Sequence, residues 1–311
     1  MLFFSFFFRN FANWTENMKK QFRKITAIGL IVLLGTCSLS AQTRKHKLRL
    51  KRHEVVLCGG GGMSSLQYKA TAGKQSMGFG GQIGLGYNFF FIPQLNLGTG
   101  LEFALYSASF TMAGSSTTYM TTDIENNPFE FRSKINEFKE NQTLIMLQVP
   151  LMLQFQTGAK HKFYVAVGGK FGLPLSGKYN SSRTNIQNSG YYAEEDYEYT
   201  TQRFMGFGTF KGSRGNLSFK MAFFASAETG VKFMMSDGYA LYTGIYADYG
   251  LTNIANQPSE PLPFLQYNRE RPSDFSVNSI VTSRNMQNGN AQLFTNKIVP
   301  LAVGIKLKMA F

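Results

Sequence analysis

The 311-residue chain is poor in the residues that do most enzyme and metal chemistry: two cysteines, three histidines and one tryptophan. Cys37 lies in an apolar N-terminal stretch, so a chain cut after that stretch keeps only Cys58. A single cysteine makes neither an internal disulfide nor a cysteine-based metal site. Two of the histidines, His46 and His53, stand in a basic run near the N-terminus, and His161 stands in a short turn. A serine- or carboxylate-based hydrolase needs a base beside its nucleophile. No long polar segment here contains a histidine, so no catalytic residue is assigned and no cofactor is expected. Glu194, Glu195, Asp196 and Glu198 cluster without ligand spacing and read as a solvated acidic loop, not a metal site.

Helical periodicity is also lacking. No long segment repeats its apolar residues every 3.6 positions, whereas period-two segments recur. The formal charge of +14 could suggest nucleic acid. Its placement argues against that. Residues 1–53 carry eleven Lys/Arg and one acid, and the remainder carries 21 Lys/Arg against 17 acids. The body is therefore close to balanced and offers no folded basic face for nucleic acid.

The N-terminus reads as an address. Met18 opens the basic MKKQFRK, an apolar run ITAIGLIVLLGTCSL follows, and Ser40, Ala41 and Gln42 close it. This is a secretory signal over 18–41, cut after Ser40 or Ala41. The apolar core is about 15 residues, short for a spanning helix. Thr36 before Cys37 argues against lipidation. Residues 1–17 read as an upstream extension with no fold, and 42–53 as a basic solvated leader. The folded domain is expected over 54–311.

Within that domain the last stretch is the clearest. Val299, Leu301, Val303, Ile305, Leu307, Met309 and Phe311 alternate with Pro300, Ala302, Gly304, Lys306, Lys308 and Ala310. Successive strand residues point to opposite faces, so this strand has one apolar face and one small or charged face. Seven more such segments precede it, at about 54–68, 76–91, 97–110, 141–156, 162–178, 218–234 and 239–254. Short gaps at Pro93-Gln94, Thr157–Lys160 and Ser236-Asp237-Gly238 alternate with long polar gaps at about 111–140, 179–217 and 255–296. Short turns on one side and long loops on the other are the pattern of an up-and-down transmembrane β-barrel. The expectation is all-β, eight antiparallel strands, first strand paired to last, both termini periplasmic.

The faces decide between a membrane barrel and a soluble one. One face is nearly free of charge, as hydrocarbon requires. The other is rich in Gly, Ala and Ser, with Tyr106, Tyr164, Phe224, Tyr242 and Tyr246 to fill a narrow lumen. It also carries both signs: Glu102, Glu228 and Asp248 against Lys170, Lys220, Lys232, Lys306 and Lys308. A lone buried charge is expensive, so these are expected to form an interior network. Glu102, Glu228 and Lys306 fall at one height, Lys170 and Asp248 at another.

Five motifs carry a resemblance: Leu39-Ser40-Ala41-Gln42, Gln148-Val149-Pro150-Leu151-Met152-Leu153, Gly168-Gly169-Lys170-Phe171-Gly172, Asp248-Tyr249-Gly250-Leu251-Thr252-Asn253-Ile254 and Pro300-Leu301-Ala302-Val303-Gly304-Ile305-Lys306. In that order, over about 54–311, the chain resembles the outer-membrane β-barrel family of Bacteroides-group bacteria, PorT-like and OmpA-like. The resemblance implies that the terminal Phe311 is read by the barrel-assembly machinery. Two function classes remain: a structural or interaction barrel working through its outer loops, and a small channel. A part in a secretion apparatus follows from the PorT likeness alone. Expected partners are outer-membrane lipid and the assembly machinery, with any envelope or extracellular protein left unnamed.

Overall fold

The computed structural model describes residues 52–157, 161–200, 207–210, 212–235, 239–260, 262–287 and 290–311. The signal segment with Ser40 and Ala41, the extension before it and most of the basic leader lie outside them. So do parts of the short turns at 158–160 and 236–238.

Eight strands form a closed antiparallel ring: β1 (His53–Gln67), β2 (Lys74–Ile92), β3 (Leu95–Thr122), β4 (Pro128–Thr157), β5 (His161–Tyr192), β6 (Ala222–Met234), β7 (Ala240–Gly250) and β8 (Val299–Ala310). Each pairs with its neighbour in sequence, and β1 pairs with β8 from Val56↔Ala310 to Gln67↔Val299. This is an up-and-down barrel with no open edge in its ring. The seam is close. A Cβ on Gly304 would come within 2.3 Å of the Gly61 carbonyl oxygen, and one on Gly62 within 2.3 Å of the Val303 carbonyl oxygen.

The outward side of the ring is apolar. Phe79, Ile83 and Leu85 on β2, Leu101 and Phe103 on β3, Leu151 on β4, Val167 on β5, Phe223 on β6, Ile245 on β7 and Ile305 on β8 are all more than half exposed. Between them the alternate residues point inward and are buried or half-buried. At the outer end of β8, Val299 departs from the expected outward face and is buried.

The long gaps differ most from the sequence reading. Residues 111–140 are not a loop: β3 and β4 run on through them, paired to Thr122↔Pro128. β5 likewise continues to Tyr192, paired to β4 as far as Glu130↔Tyr191. At 28, 30 and 32 residues these strands are about three times what a tilted membrane span needs. They stand beyond the ring as an overhang. The tip is closed at Asp123, whose Oδ1 accepts the amides of Glu125 and Asn127, with Asn126 at φ 68°. Short strands Tyr197–Tyr199, Phe207–Phe210 and Arg214–Leu217 pair along the edge of β5.

Along the overhang the apolar face changes side. On β3 the odd residues run from Leu101, Phe103 and Leu105 to Ser107, Ser109 and Thr111. The even residues run from Glu102 and Ala104 to the buried Tyr106, Phe110 and Met112. Phe129, Phe131, Ile135 and Phe138 of β4 continue that inward apolar face. The segment between β7 and β8 covers it. Its Phe264, Leu265, Val277, Ile280, Val281 and Phe294 are buried there. Phe264 meets Phe138 edge-on at 4.9 Å, and Tyr267 meets Phe129 at 5.2 Å. The third long gap is thus a folded insert lying against the overhang.

Candidate functional site

The inward residues of the ring meet in one ionic cluster. Glu102 of β3 accepts from Lys170 Nζ of β5 at 2.8 Å and from Lys306 Nζ of β8 at 2.6 Å. Lys170 also reaches Asp248 of β7 at 2.9 Å and Gln82 of β2 at 3.2 Å. Glu228 of β6 pairs with Lys308 and, at 3.7 Å, with Lys306. Tyr164 donates to Glu228 at 2.8 Å. Six of the ring's strands therefore send a side chain into one cluster. Inward parity puts each charge in the lumen, and the register then brings opposite signs level.

A second layer lies nearer the chain termini. Lys232 of β6 pairs with Glu54 of β1 at 2.5 Å, and Tyr242 donates to the same carboxylate at 2.8 Å. Sequence reading left Glu54 out. Its signal was parity: it shares the inward register of Val56 and Cys58. With it, the charges held in the ring are four carboxylates, Glu54, Glu102, Glu228 and Asp248, and four lysines, Lys170, Lys232, Lys306 and Lys308.

Lys220 is a correction. It is exposed and outside the cluster, because β6 begins only at Ala222. Before that the chain leaves the ladder and turns Phe219 inward, bridged to Ala255. Phe311 stands at the rim of the seam, its amide donating to Val55 at 2.9 Å and its ring edge-on to Tyr239 at 5.6 Å.

Little space is left in the ring. Beside the cluster is a cavity of about 50 Å³ lined by Glu102, Lys170, Glu228, Asp248 and Lys306, room for a few waters at most. Tyr106 and Phe224 stack at 5.9 Å just beyond it. Among the described residues no three His, Cys, Asp or Glu gather as a metal site.

Above the ring, besides Asp123 at the tip, a carboxyl is fully buried without a basic partner in its hydrogen bonds. Glu140 is in the overhang, five residues beyond Ile145, the last exposed apolar residue of β4. Its Oε1 accepts from Gln142 and Ser279, both at 2.7 Å, and its Oε2 from the Ile280 amide at 3.3 Å. Burial pushes it up to about 7, against those three hydrogen bonds. Tyr68, bonded to Gln142, and Tyr179 are raised in turn by burial and by this carboxyl.

No family model and no curated relative matches the chain. Among solved structures it is similar to Neisserial surface protein A, at 9% identity over 83% of this chain and 96% of that one, TM-score 0.32. It is also similar to the outer membrane protein OprG from Pseudomonas aeruginosa, at 11% identity over 82% and 95%, TM-score 0.27. At this distance neither lends a function.

Two outcomes follow from the geometry. Glu102→Ala leaves Lys170 and Lys306 short of a counter-charge in a closed lumen and should cost about 3–5 kcal/mol. Adding Lys306→Met should recover part of it. Urea midpoints of the refolded barrel measure both, and a single variant as stable as the parent would show the cluster does not hold the ring together.

The second concerns pH. Glu140 keeps its proton to about pH 7 when folded, whereas the unfolded carboxyl loses it near 4.5. Between these values the folded state binds more protons, so its contribution is full below about 4.5 and is lost as pH rises through about 7. The loss is on the order of 3 kcal/mol. Midpoints at pH 5 and pH 8 should differ more in the parent than in Glu140→Gln; equal differences would mean Glu140 does not titrate as stated.

Proposed function

We propose that this is a non-enzymatic outer-membrane β-barrel protein whose overhang and docked insert form its working surface, with a structural or interaction role. The observation that carries this is the inversion of faces: the ring is apolar outside and charged inside. Such an exterior is unsuited to water, where large contiguous apolar patches mark contact surfaces. It suits hydrocarbon, in which a closed ladder leaves no backbone group unpaired. The motifs in β4, β5, β7 and β8 favour kinship with the PorT-like barrels of Bacteroides-group bacteria. On this reading 18–41 is removed on export and both termini face the periplasm.

A channel fits less well. Two obstacles are in series: the neutralised charge cluster with its tyrosines, and the insert buried against the overhang. Planar-bilayer recordings should show little steady conductance. Cell fractionation should place the protein with outer membranes, with a mature N-terminus at or next to Gln42 by mass spectrometry. A soluble product would overturn the membrane reading, and a large stable conductance would restore the channel.

Phe311 is proposed as an assembly signal. It ends the lipid-facing row of β8 and caps the β1–β8 seam. Deleting it should lower the yield of heat-modifiable barrel in the membrane while leaving barrels that do form as stable as the parent. Unchanged yield would remove that role.

A further inference from the structure

The barrel's outer wall changes character abruptly where the apolar belt ends. On β2 the boundary falls between Met77 and Ser76, on β3 between Leu105 and Ser107, on β4 between Ile145 and Thr143, and on β5 beyond Leu175. Beyond a first row of Ser and Thr, at Ser76, Ser107 and Thr143, the outward face carries cations. Lys178 is exposed and pairs in register with Thr143 on one side and Asn216 on the other. Arg214 is exposed and paired with Asn180, whose Oδ1 accepts from its Nε at 3.2 Å. Lys139 and Lys74 are exposed and flank Thr111 from either side. Between Lys178 and Arg214 the wall is hollowed into an open groove of about 790 Å³ with the amides of Asn141 and Asn180 in its lining. The exposed acid on this stretch of β4 is Glu137, two pairs further from the belt than Lys139.

We propose that this arc, Lys74, Lys139, Arg214 and Lys178, binds the phosphates of anionic lipid headgroups. The inference rests on the membrane reading above and adds the class of lipid. Three arguments carry it. The arc is continuous with the apolar belt, so an acyl chain lying along Ile145 and Leu175 would bring its own headgroup to Lys178. The charge there is of one sign, whereas the ring interior is neutral. A basic residue acts on an anionic surface mainly within about one Debye length, roughly 10 Å; Lys74 and Lys178 stand three residues beyond Met77 and Leu175, about 10 Å along the strand, and Arg214 and Lys139 stand further out as a second row. The arc combines a guanidinium, which takes phosphate oxygens in a fork, with ammonium groups, which act as point charges. Each basic residue close to an anionic surface favours binding by about fivefold.

Lys134 marks the limit. It is exposed on β4 but five residues beyond Lys139, about 16 Å along the strand, and so outside the headgroup layer. Together with Arg269 and Arg271 of the insert it supplies a control that removes as much charge away from the boundary.

The test uses the mature full-length barrel in neutral detergent. It is offered phosphatidylglycerol and phosphatidylcholine with the same acyl chains, in equal amounts, and bound lipid is counted by native mass spectrometry. The parent should retain phosphatidylglycerol over phosphatidylcholine by about tenfold. K139Q/K178Q/R214Q should fall to about twofold, K178Q alone should lie between, and K134Q/R269Q/R271Q should keep the parent's preference. Heat-modifiable migration shows that each variant is folded. No preference in the parent, an unchanged triple variant, or equal loss in the control would overturn the proposal. So would displacement of the lipid by inorganic phosphate at equal concentration, which would mark a site for a soluble anion. Failure of the membrane reading is separate: it shows as parent protein absent from the membrane fraction, whatever lipid the purified barrel retains.

Discussion

Every charge inside the ring must meet its opposite, and most of the architecture answers to that requirement. A carboxylate or ammonium taken out of water loses several kcal/mol of solvation, recovered only with good geometry and further hydrogen bonds. Glu102 accepts from two lysines and from the Cys58 thiol, and Lys170 bridges two acids and an amide. Such contacts form only if six strands hold one register. A one-residue slip would turn a strand's charges to the apolar outside and its leucines to the lumen. The ionic cluster therefore acts as a check on register as much as a source of stability.

The same demand explains the glycines of the seam and the size of the inward residues. The lumen of eight strands has room for side chains and little else. Long lysines and tyrosines crossing it need short neighbours. Gly62 and Gly304, facing each other across the β1–β8 pair, let the two backbones approach where a Cβ would collide. Further out, Tyr106 and Phe224 take over the filling, and beyond them the insert does.

The ring was legible because its outside is uniform. From Leu101 to Leu105, from Ile145 to Phe155 and from Val303 to Phe311, every second residue is apolar, so period and phase can both be read. The overhang was not, although it also alternates. Past Leu105 the exposed side changes from apolar to polar and the inside from charge cluster to aromatic core, so the apolar phase moves from odd to even positions on β3. A search for apolar residues in the old phase meets Ser107, Ser109 and Thr111 and takes the strand to have ended. Phe129, Phe131, Ile135 and Phe138 were the signal of its return, written in the opposite phase and shifted by the irregular register near Glu137. Lys220 was misplaced by the same kind of slip, since parity counted back from Glu228 assumes a strand that begins only at Ala222. Glu54 escaped because it is the first inward residue of β1, a strand whose alternation is broken by the four glycines at 59–62.

The overhang's polarity also decides which surface is left for a partner. Its inner face is occupied by the insert, tied down by Tyr119, which donates to the Leu265 carbonyl and accepts from the Tyr267 amide. Glu140 adds a tie lower down, through Ser279 and Ile280. The first of these is a neutral pair of hydrogen bonds and holds at any pH the tyrosine stays protonated. The second depends on a carboxyl in a site that favours its neutral form. What faces outward at the boundary is a hydrophilic wall whose cations stand beyond the apolar belt, so on the proposed membrane reading lipid is the first partner the overhang would meet.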